Sequence, residues 1–180
     1  MKKLLIVIDF QNDFVNGSLG FRGAEKLEEV ILKKIKDYKK NNDDIIYTLD
    51  THDEKYLNTI EGSNLPIIHC IKGTSGHALY GKLKDEIRMD SIVFEKSTFG
   101  SLDLGMYLKD KSYSEIELCG LVSNICVIAN AVIAKSAIPD AFIFIDAMAT
   151  SSNDKELEEK TFDVLEGLHI KVKNRVASKN

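Results

Sequence analysis

The sequence predicts an α/β fold: one domain over residues 1–180, with a mainly parallel central sheet covered by helices on both faces in a three-layer, Rossmann-like α/β/α arrangement. Two observations carry this expectation. Short apolar runs of strand length alternate along the chain with longer segments of helical period, the pattern of a parallel sheet joined by helical crossovers. No internal repeat, low-complexity stretch or Pro/Gly-rich linker divides the 180 residues, a length that suits a single core.

The elements follow in order. "LLIVIDF" (residues 4–10) is apolar at consecutive positions, as a strand covered on both faces must be. "AEKLEEVILKKIKDYKK" (24–40) places Leu27, Val30, Ile31 and Ile35 on one helical face. "DIIYTLD" (44–50) is again a strand, whereas residues 51–82 show no clean period and many Gly, Thr, Asn and His. Regularity returns with the strands "SIVFEK" (91–96) and "EIELCG" (115–120) and a helix over about 124–137. The strand "AFIFIDA" (141–147), the helix "DKELEEKTFDVLE" (154–166) and the strand "HIKV" (169–172) complete the pattern.

Composition excludes several functions. A formal charge of −4 gives no footprint for nucleic acid or an anionic membrane surface, and the lysines of "LKKIKDYKKNN" are mixed with acids on a solvated helix face. "MKKLLIVIDF" has a charged start and an apolar run, but the run is too short to span a bilayer, ends in Asp9 and lacks a small-residue cleavage site. It is therefore expected to be a buried strand in a cytoplasmic protein without membrane partners. Cys70, Cys119 and Cys126 are odd in number and irregularly spaced, which argues against a disulfide framework and against a CxxC redox site.

In open parallel sheets, ligands bind beyond the carboxyl ends of the strands. The predicted strands end in or lead to Asp9, Asp50, Lys96, Cys126 and Asp146. Each alone reads as a loop or cap residue; together they place carboxylates and an ammonium near a thiol. Cys126 stands in the first turn of a helix, where unpaired backbone N–H groups and the dipole favour thiolate and can hold an oxyanion. The alternative for Cys126 is a small apolar residue packed on the sheet. Cys119 reads as core, and Cys70 lacks a comparable helix start.

Asp50 and His52 straddle one residue, so an extended chain points both side chains the same way. Glu61 and His69 follow in the irregular segment. Two imidazoles and two carboxylates suit Zn, Mn or Fe better than Ca or Mg, although acids and histidines also gather in ordinary surface loops. "GHALYGKL" (76–83) matches the spacing of a phosphate loop only in part, because Leu83 stands where a hydroxyl is needed and no strand precedes it. His77 and His169 lack partners at ligand spacing.

Six segments occur in a telling order: "IVIDFQNDF" (6–14), "GSLG" (17–20), "LDTH" (49–52), "HCIKGTSG" (69–76), "FEKSTFGS" (94–101) and "GLVSNICV" (120–127). With them the chain resembles the isochorismatase-like cysteine hydrolases, above all their nicotinamidase/pyrazinamidase branch, over nearly its whole length. The resemblance implies a catalytic triad of Asp9, Lys96 and Cys126, a cis peptide between Leu121 and Val122, and an oxyanion hole made by the amides of Val122 and Cys126. It also implies a divalent metal, zinc first with manganese or iron as alternatives, held by Asp50, His52, Glu61 and His69. Asn58 occupies the position where a second histidine is common, and Glu61 is its substitute. The substrate pocket is assigned to Phe14, Leu19, Ile68 and Phe99; with no tryptophan in the chain, Ile67 or Ile68 is left to pack on the ring.

The implied reaction converts nicotinamide or pyrazinamide and water to the acid and ammonia through a thioester on Cys126, with Asp9 as proton acceptor and donor. The implied partners are a small amide and further copies of the chain in a homo-oligomer. Two alternatives stand beside it: the same thiol acting without metal on an N-carbamoyl or ureido amide, and a catalytically silent binding relative. The vinyl-ether-cleaving isochorismatases usually lack the cysteine.

Overall fold

The computed structural model describes residues 1–175. Six strands form one parallel sheet: β1 (Lys3–Ile8), β2 (Asp44–Asp50), β3 (Ile92–Lys96), β4 (Glu115–Leu121), β5 (Phe142–Ser151) and β6 (Lys171–Lys173), in the spatial order β3-β2-β1-β4-β5-β6. The helices are α1 (Asn12–Val15), α2 (Leu27–Lys40), α3 (Ile60–Asn64), α4 (Leu102–Lys109), α5 (Ile128–Ala137) and α6 (Lys155–Gly167). A π-helical turn, Ser123–Val127, joins β4 to α5. Among the described residues no helix is long and apolar enough to cross a membrane.

The apolar run of β1 is explained by its central place. Leu4, Ile6 and Ile8 pack on one face against Leu104 and Leu108 of α4, Ala131 and Ala134 of α5, and Phe162 and Leu165 of α6. Leu5 and Val7 face the other way, onto Leu27, Ile31, Leu32 and Ile35 of α2. A charge inside a strand covered twice needs a buried partner, and β1 carries only apolar side chains from Leu4 to Ile8; the first carboxylate follows directly, at Asp9.

The chain lays strands outward from β1 in one direction and from β4 in the other, so the switch point lies between these two neighbours. Gly120 makes their approach possible. Its φ is +112°, and a Cβ there would lie 2.0 Å from the carbonyl oxygen of Ile8. Asp9 and the turn bearing Cys126 emerge just beyond this contact.

Two expectations are corrected here. The fifth strand does not end near Ala147: its pairing with β4 shifts between Leu118 and Gly120, and it continues to Ser151. Asp146 is therefore within the strand, its carboxylate 2.5 Å from Lys34 of α2, and does not join the strand-end cluster. The helix α4 was not anticipated; Ser101 caps it by accepting from the Leu104 N–H at 3.1 Å, and Gly105 interrupts an apolar face only two turns long.

Candidate active site

Asp9 follows β1 with φ +44°, a conformation that a residue with a side chain adopts at a cost of about 1–3 kcal/mol and keeps only when its surroundings enforce it. Here Thr48 does so: its carbonyl accepts from the Asp9 N–H at 3.2 Å and its hydroxyl donates to Asp9 Oδ1 at 2.6 Å. Lys96, the last residue of β3, puts Nζ 2.6 Å from Asp9 Oδ2, 3.3 Å from Asp50 Oδ1 and 3.7 Å from Cys126 Sγ. It also donates to the Thr98 carbonyl at 3.0 Å. All four side chains of this cluster, including Asp50, are buried. The Leu121–Val122 peptide is cis.

The electrostatics of this cluster pull in opposite directions. Burial pushes the Cys126 thiol well above its usual range, and the nearby Asp9 charge adds to this while Lys96 opposes it. Burial thus favours the thiol form at rest, against the pull of the helix start toward thiolate. Burial likewise raises the Asp9 carboxyl against the pull of Lys96. Lys96 stays charged: desolvation disfavours its ammonium, but Asp9, Cys126 and Asp50 together outweigh that and raise its pKa. A carboxylate of raised proton affinity beside a neutral thiol is a base matched to its acid.

Beyond Asp50 lies the second group. One donor atom from each of Asp50, His52, Glu61 and His69 falls within 4.8 Å of the others. Asp50 Oδ2 is 3.0 Å from His52 Nε2 and 3.3 Å from His69 Nε2, and Glu61 Oε1 is 3.7 Å from His52 Nε2. His69 Nδ1 donates to the Ile67 carbonyl at 2.7 Å, which leaves Nε2 as its lone-pair nitrogen toward the group. Burial pushes the Asp50 carboxyl up, but the neighbouring imidazoles and the Lys96 charge hold it well below the carboxylate range. Two imidazoles and two carboxylates, one of them strongly anionic, fit a divalent ion of the zinc type.

Three buried polar residues that the sequence did not single out hold these parts in place. Gln11 clamps Asp50 through both backbone groups, accepting from its N–H at 2.8 Å and donating to its carbonyl at 2.9 Å. Tyr56 packs against both His52 and His69, tilted to one ring and edge-on to the other with centroids 4.6 and 4.9 Å away, and its hydroxyl donates to the Leu65 carbonyl at 2.9 Å. Asn130 on α5 donates to the Cys126 and Phe99 carbonyls and accepts from the Ser101 N–H, at 2.8, 3.0 and 2.9 Å.

The two groups share a cleft of about 670 Å³, counting the open space at its mouth. Cys126, Asp50, Glu61 and His69 reach its surface, and Phe14, Leu19 and Phe99 wall it as assigned from the sequence. Ile68 does not: it is 54% exposed, with Ile67 40% exposed, and neither lines the cleft. His69 turns inward, so its neighbour turns out, and Leu65, Phe21 and Ile125 supply the apolar surface instead.

The Isochorismatase domain profile matches residues 3–172. The chain belongs to the isochorismatase family. The isochorismatase family protein PncA of Bacillus subtilis is 38% identical over 143 residues, covering 73% of this chain and 78% of that one. A crystal structure of nicotinamidase PncA from Bacillus subtilis superposes with a TM-score of 0.82 at 29% identity, covering 96% of this chain and 99% of that one. The pyrazinamidase of Pyrococcus horikoshii in complex with zinc superposes with a TM-score of 0.83 at 22% identity, covering 96% and 98%. Within the isochorismatase family these similarities fall on the nicotinamidase/pyrazinamidase branch.

Proposed function

We propose that this isochorismatase-family chain is an amidohydrolase that converts nicotinamide, and the related pyrazinamide, to the corresponding acid and ammonia through a thioester on Cys126. The observation that carries the reading is the meeting, in one largely apolar cleft, of the Asp9–Lys96–Cys126 cluster with the Asp50–His52–Glu61–His69 donor group. A flat ring carrying a carboxamide suits such a cleft: apolar walls for its faces, a thiol for its carbonyl, and the donor group at its far edge.

In this mechanism Asp9 takes the proton from Cys126 as Sγ attacks the amide carbon. Lys96 keeps its charge and holds the Asp9 carboxylate toward the sulfur. The N–H groups of Val122 and Cys126 receive the oxyanion of the tetrahedral adduct. The C–N bond then breaks, and Asp9 gives its proton to the departing ammonia. Water attacks the thioester carbon, Asp9 takes one of its protons, and Cys126 leaves and regains a proton as thiol. A divalent ion in the Asp50, His52, Glu61 and His69 group, zinc first with manganese or iron as alternatives, supplies a Lewis-acid anchor for a ring nitrogen. Three buried cysteines without a disulfide among the described residues accord with a cytoplasmic setting.

The test is ammonia release from nicotinamide by protein purified without chelator, with metal content read on the same sample and the assay repeated after EDTA. The expected result is turnover that is lost on chelation, restored by zinc, manganese or iron, and absent in Cys126→Ala. Metal-loaded protein that is inert to nicotinamide and hydrolyses a ureido or carbamoyl amide would replace the substrate reading.

A further inference from the structure

Ser123 opens the π-helical turn that carries Cys126, and its hydroxyl is buried beneath it. The hydroxyl donates to Glu158 Oε2 at 2.7 Å. Glu158 lies on the buried face of α6 beside Thr161, Phe162 and Leu165, and it is only 7% exposed. Its other oxygen accepts from Lys155 Nζ at 2.8 Å, and Lys155 in turn reaches the Ser151 hydroxyl at 2.6 Å. Neither Ser123 nor Glu158 lines the cleft.

Packing alone does not call for a carboxylate at this position. A buried charge carries a desolvation penalty, and an apolar side chain would seat α6 on the sheet without it. What a carboxylate adds is a directional hold on Ser123 from a long helix. A π-helical turn is an uncommon, wide winding that occurs frequently at functional sites. This one is tied at both ends: Asn130 takes the Cys126 carbonyl at its exit, and Glu158 takes Ser123 at its entrance. Between these ties, Cys126 Sγ sits 3.7 Å from Lys96 Nζ.

We propose that Glu158, acting through Ser123, is a positioning residue that fixes the nucleophile turn, keeping Cys126 in reach of Asp9 and Lys96 and aiming the turn's amides at the substrate carbonyl. The inference rests on Cys126 being the nucleophile, but not on which amide is hydrolysed. Its role is in the rate of the thiol's chemistry, not in the affinity of the cleft.

The test compares Ser123→Ala, Ser123→Thr, Glu158→Leu and Glu158→Gln with the parent chain. Four quantities are read: the rate of Cys126 alkylation by iodoacetamide, located by peptide mass spectrometry; kcat and KM on nicotinamide; and the urea midpoint. Ser123→Ala and Glu158→Leu are expected to lower both alkylation and kcat by about 10- to 100-fold with KM little changed, the scale of a nucleophile displaced by about an ångström. Ser123→Thr, which keeps the hydroxyl, restores both rates, and combining Ser123→Ala with Glu158→Leu adds no further loss. Should Glu158→Leu fail to fold, Glu158→Gln keeps an acceptor for Ser123 and retains most of the rate. Variants that lose stability but keep alkylation and kcat would make the pair a packing feature and overturn the proposal, as would a Ser123→Thr chain as slow as Ser123→Ala. If alkylation slows as expected while even the parent chain leaves nicotinamide intact, the positioning role stands and the substrate reading falls.

Discussion

Asp50 and Lys96 stand opposite each other in register at the ends of β2 and β3, with Asp50 Oδ1 3.3 Å from Lys96 Nζ. The other oxygen of the same carboxylate faces His52 and His69. One side chain therefore joins the thiol cluster to the metal-type donor group. The coupling is electrostatic in both directions: the donors that hold Asp50 ionised also help to keep Lys96 charged beside Asp9.

Lys96→Met should break this arrangement at its centre. The Asp9–Lys96 pair is almost wholly enclosed, with side-chain exposures of 0% and 2%, so removing one partner strands the other. The expected loss is about 3–5 kcal/mol by urea unfolding, together with nearly all turnover. The double variant Asp9→Asn/Lys96→Met removes both charges and should recover most of the stability while remaining inactive. A single variant as stable as the parent would contradict the buried pair.

The pH profile tests the raised carboxyl. Asp9 must be ionised to take the thiol proton, and burial raises its pKa. Activity is thus present above that raised pKa and lost as pH falls through it, so the acid limb of kcat/KM should lie above the ordinary aspartate value of about 3.9. Cys126 alkylation in the presence of chelator should show the same limb, since Asp9 acts on the thiol without the metal group. A limb at or below about 3.9 in the alkylation profile would rule out Asp9 as this base.

The sequence made the strand-end residues legible for a physical reason. β1 and β2 are largely apolar runs that stop at a carboxylate and β3 ends at Lys96, and a charge inside a covered strand needs a partner, as Asp146 has in Lys34; Asp9, Asp50 and Lys96 could be found as strand-end residues. Gln11 and Asn130 could not. They are buried polar residues whose partners are backbone groups, such as those of Asp50 and Phe99, far away in sequence. The half-buried Asp13 was hidden for the same reason: its Oδ2 accepts from the Cys70 N–H at 2.7 Å, next to His69, and a Cβ on Gly76 would lie 2.1 Å from that oxygen. The motif glycine at 76 is thus explained by an aspartate 63 positions earlier, a relation that no local spacing reveals. The misplaced Ile68 and Asp146 have the same origin, since a turned loop and a shifted pairing are tertiary facts.

Glu61 is the donor with the least support from local pattern, and it has a direct test. Thr59 caps α3 by accepting from the Gly62 N–H at 2.9 Å, which sets Glu61 on the first turn facing His52. Glu61→Ala should weaken zinc binding by at least about 10- to 100-fold, the loss usual for even an outer-shell partner, as read by competition with a chromophoric chelator. Cys126 alkylation should be unchanged within about twofold, because the thiol's proton acceptor and cation are elsewhere. Unaltered zinc affinity would remove Glu61 from the donor set.

Gly120 links the fold to the chemistry, and a pair of substitutions separates its two constraints. Gly23 and Gly120 both have positive φ, +99° and +112°, but an added Cβ meets nothing within 4 Å at Gly23 and the Ile8 carbonyl oxygen at 2.0 Å at Gly120. Gly23→Ala should therefore show only the conformational penalty of about 1–2 kcal/mol, with alkylation and turnover intact. Gly120→Ala carries that penalty and must also part β4 from β1 at the switch point, directly before Asp9. Its urea midpoint should fall further than that of Gly23→Ala, and Cys126 alkylation should slow even under conditions where the chain remains folded, since the strands that hold the base and the nucleophile no longer meet at the same distance. Equal behaviour of the two variants would mean that the close backbone approach is dispensable, and with it the argument that this glycine sets the spacing of Asp9 and Cys126.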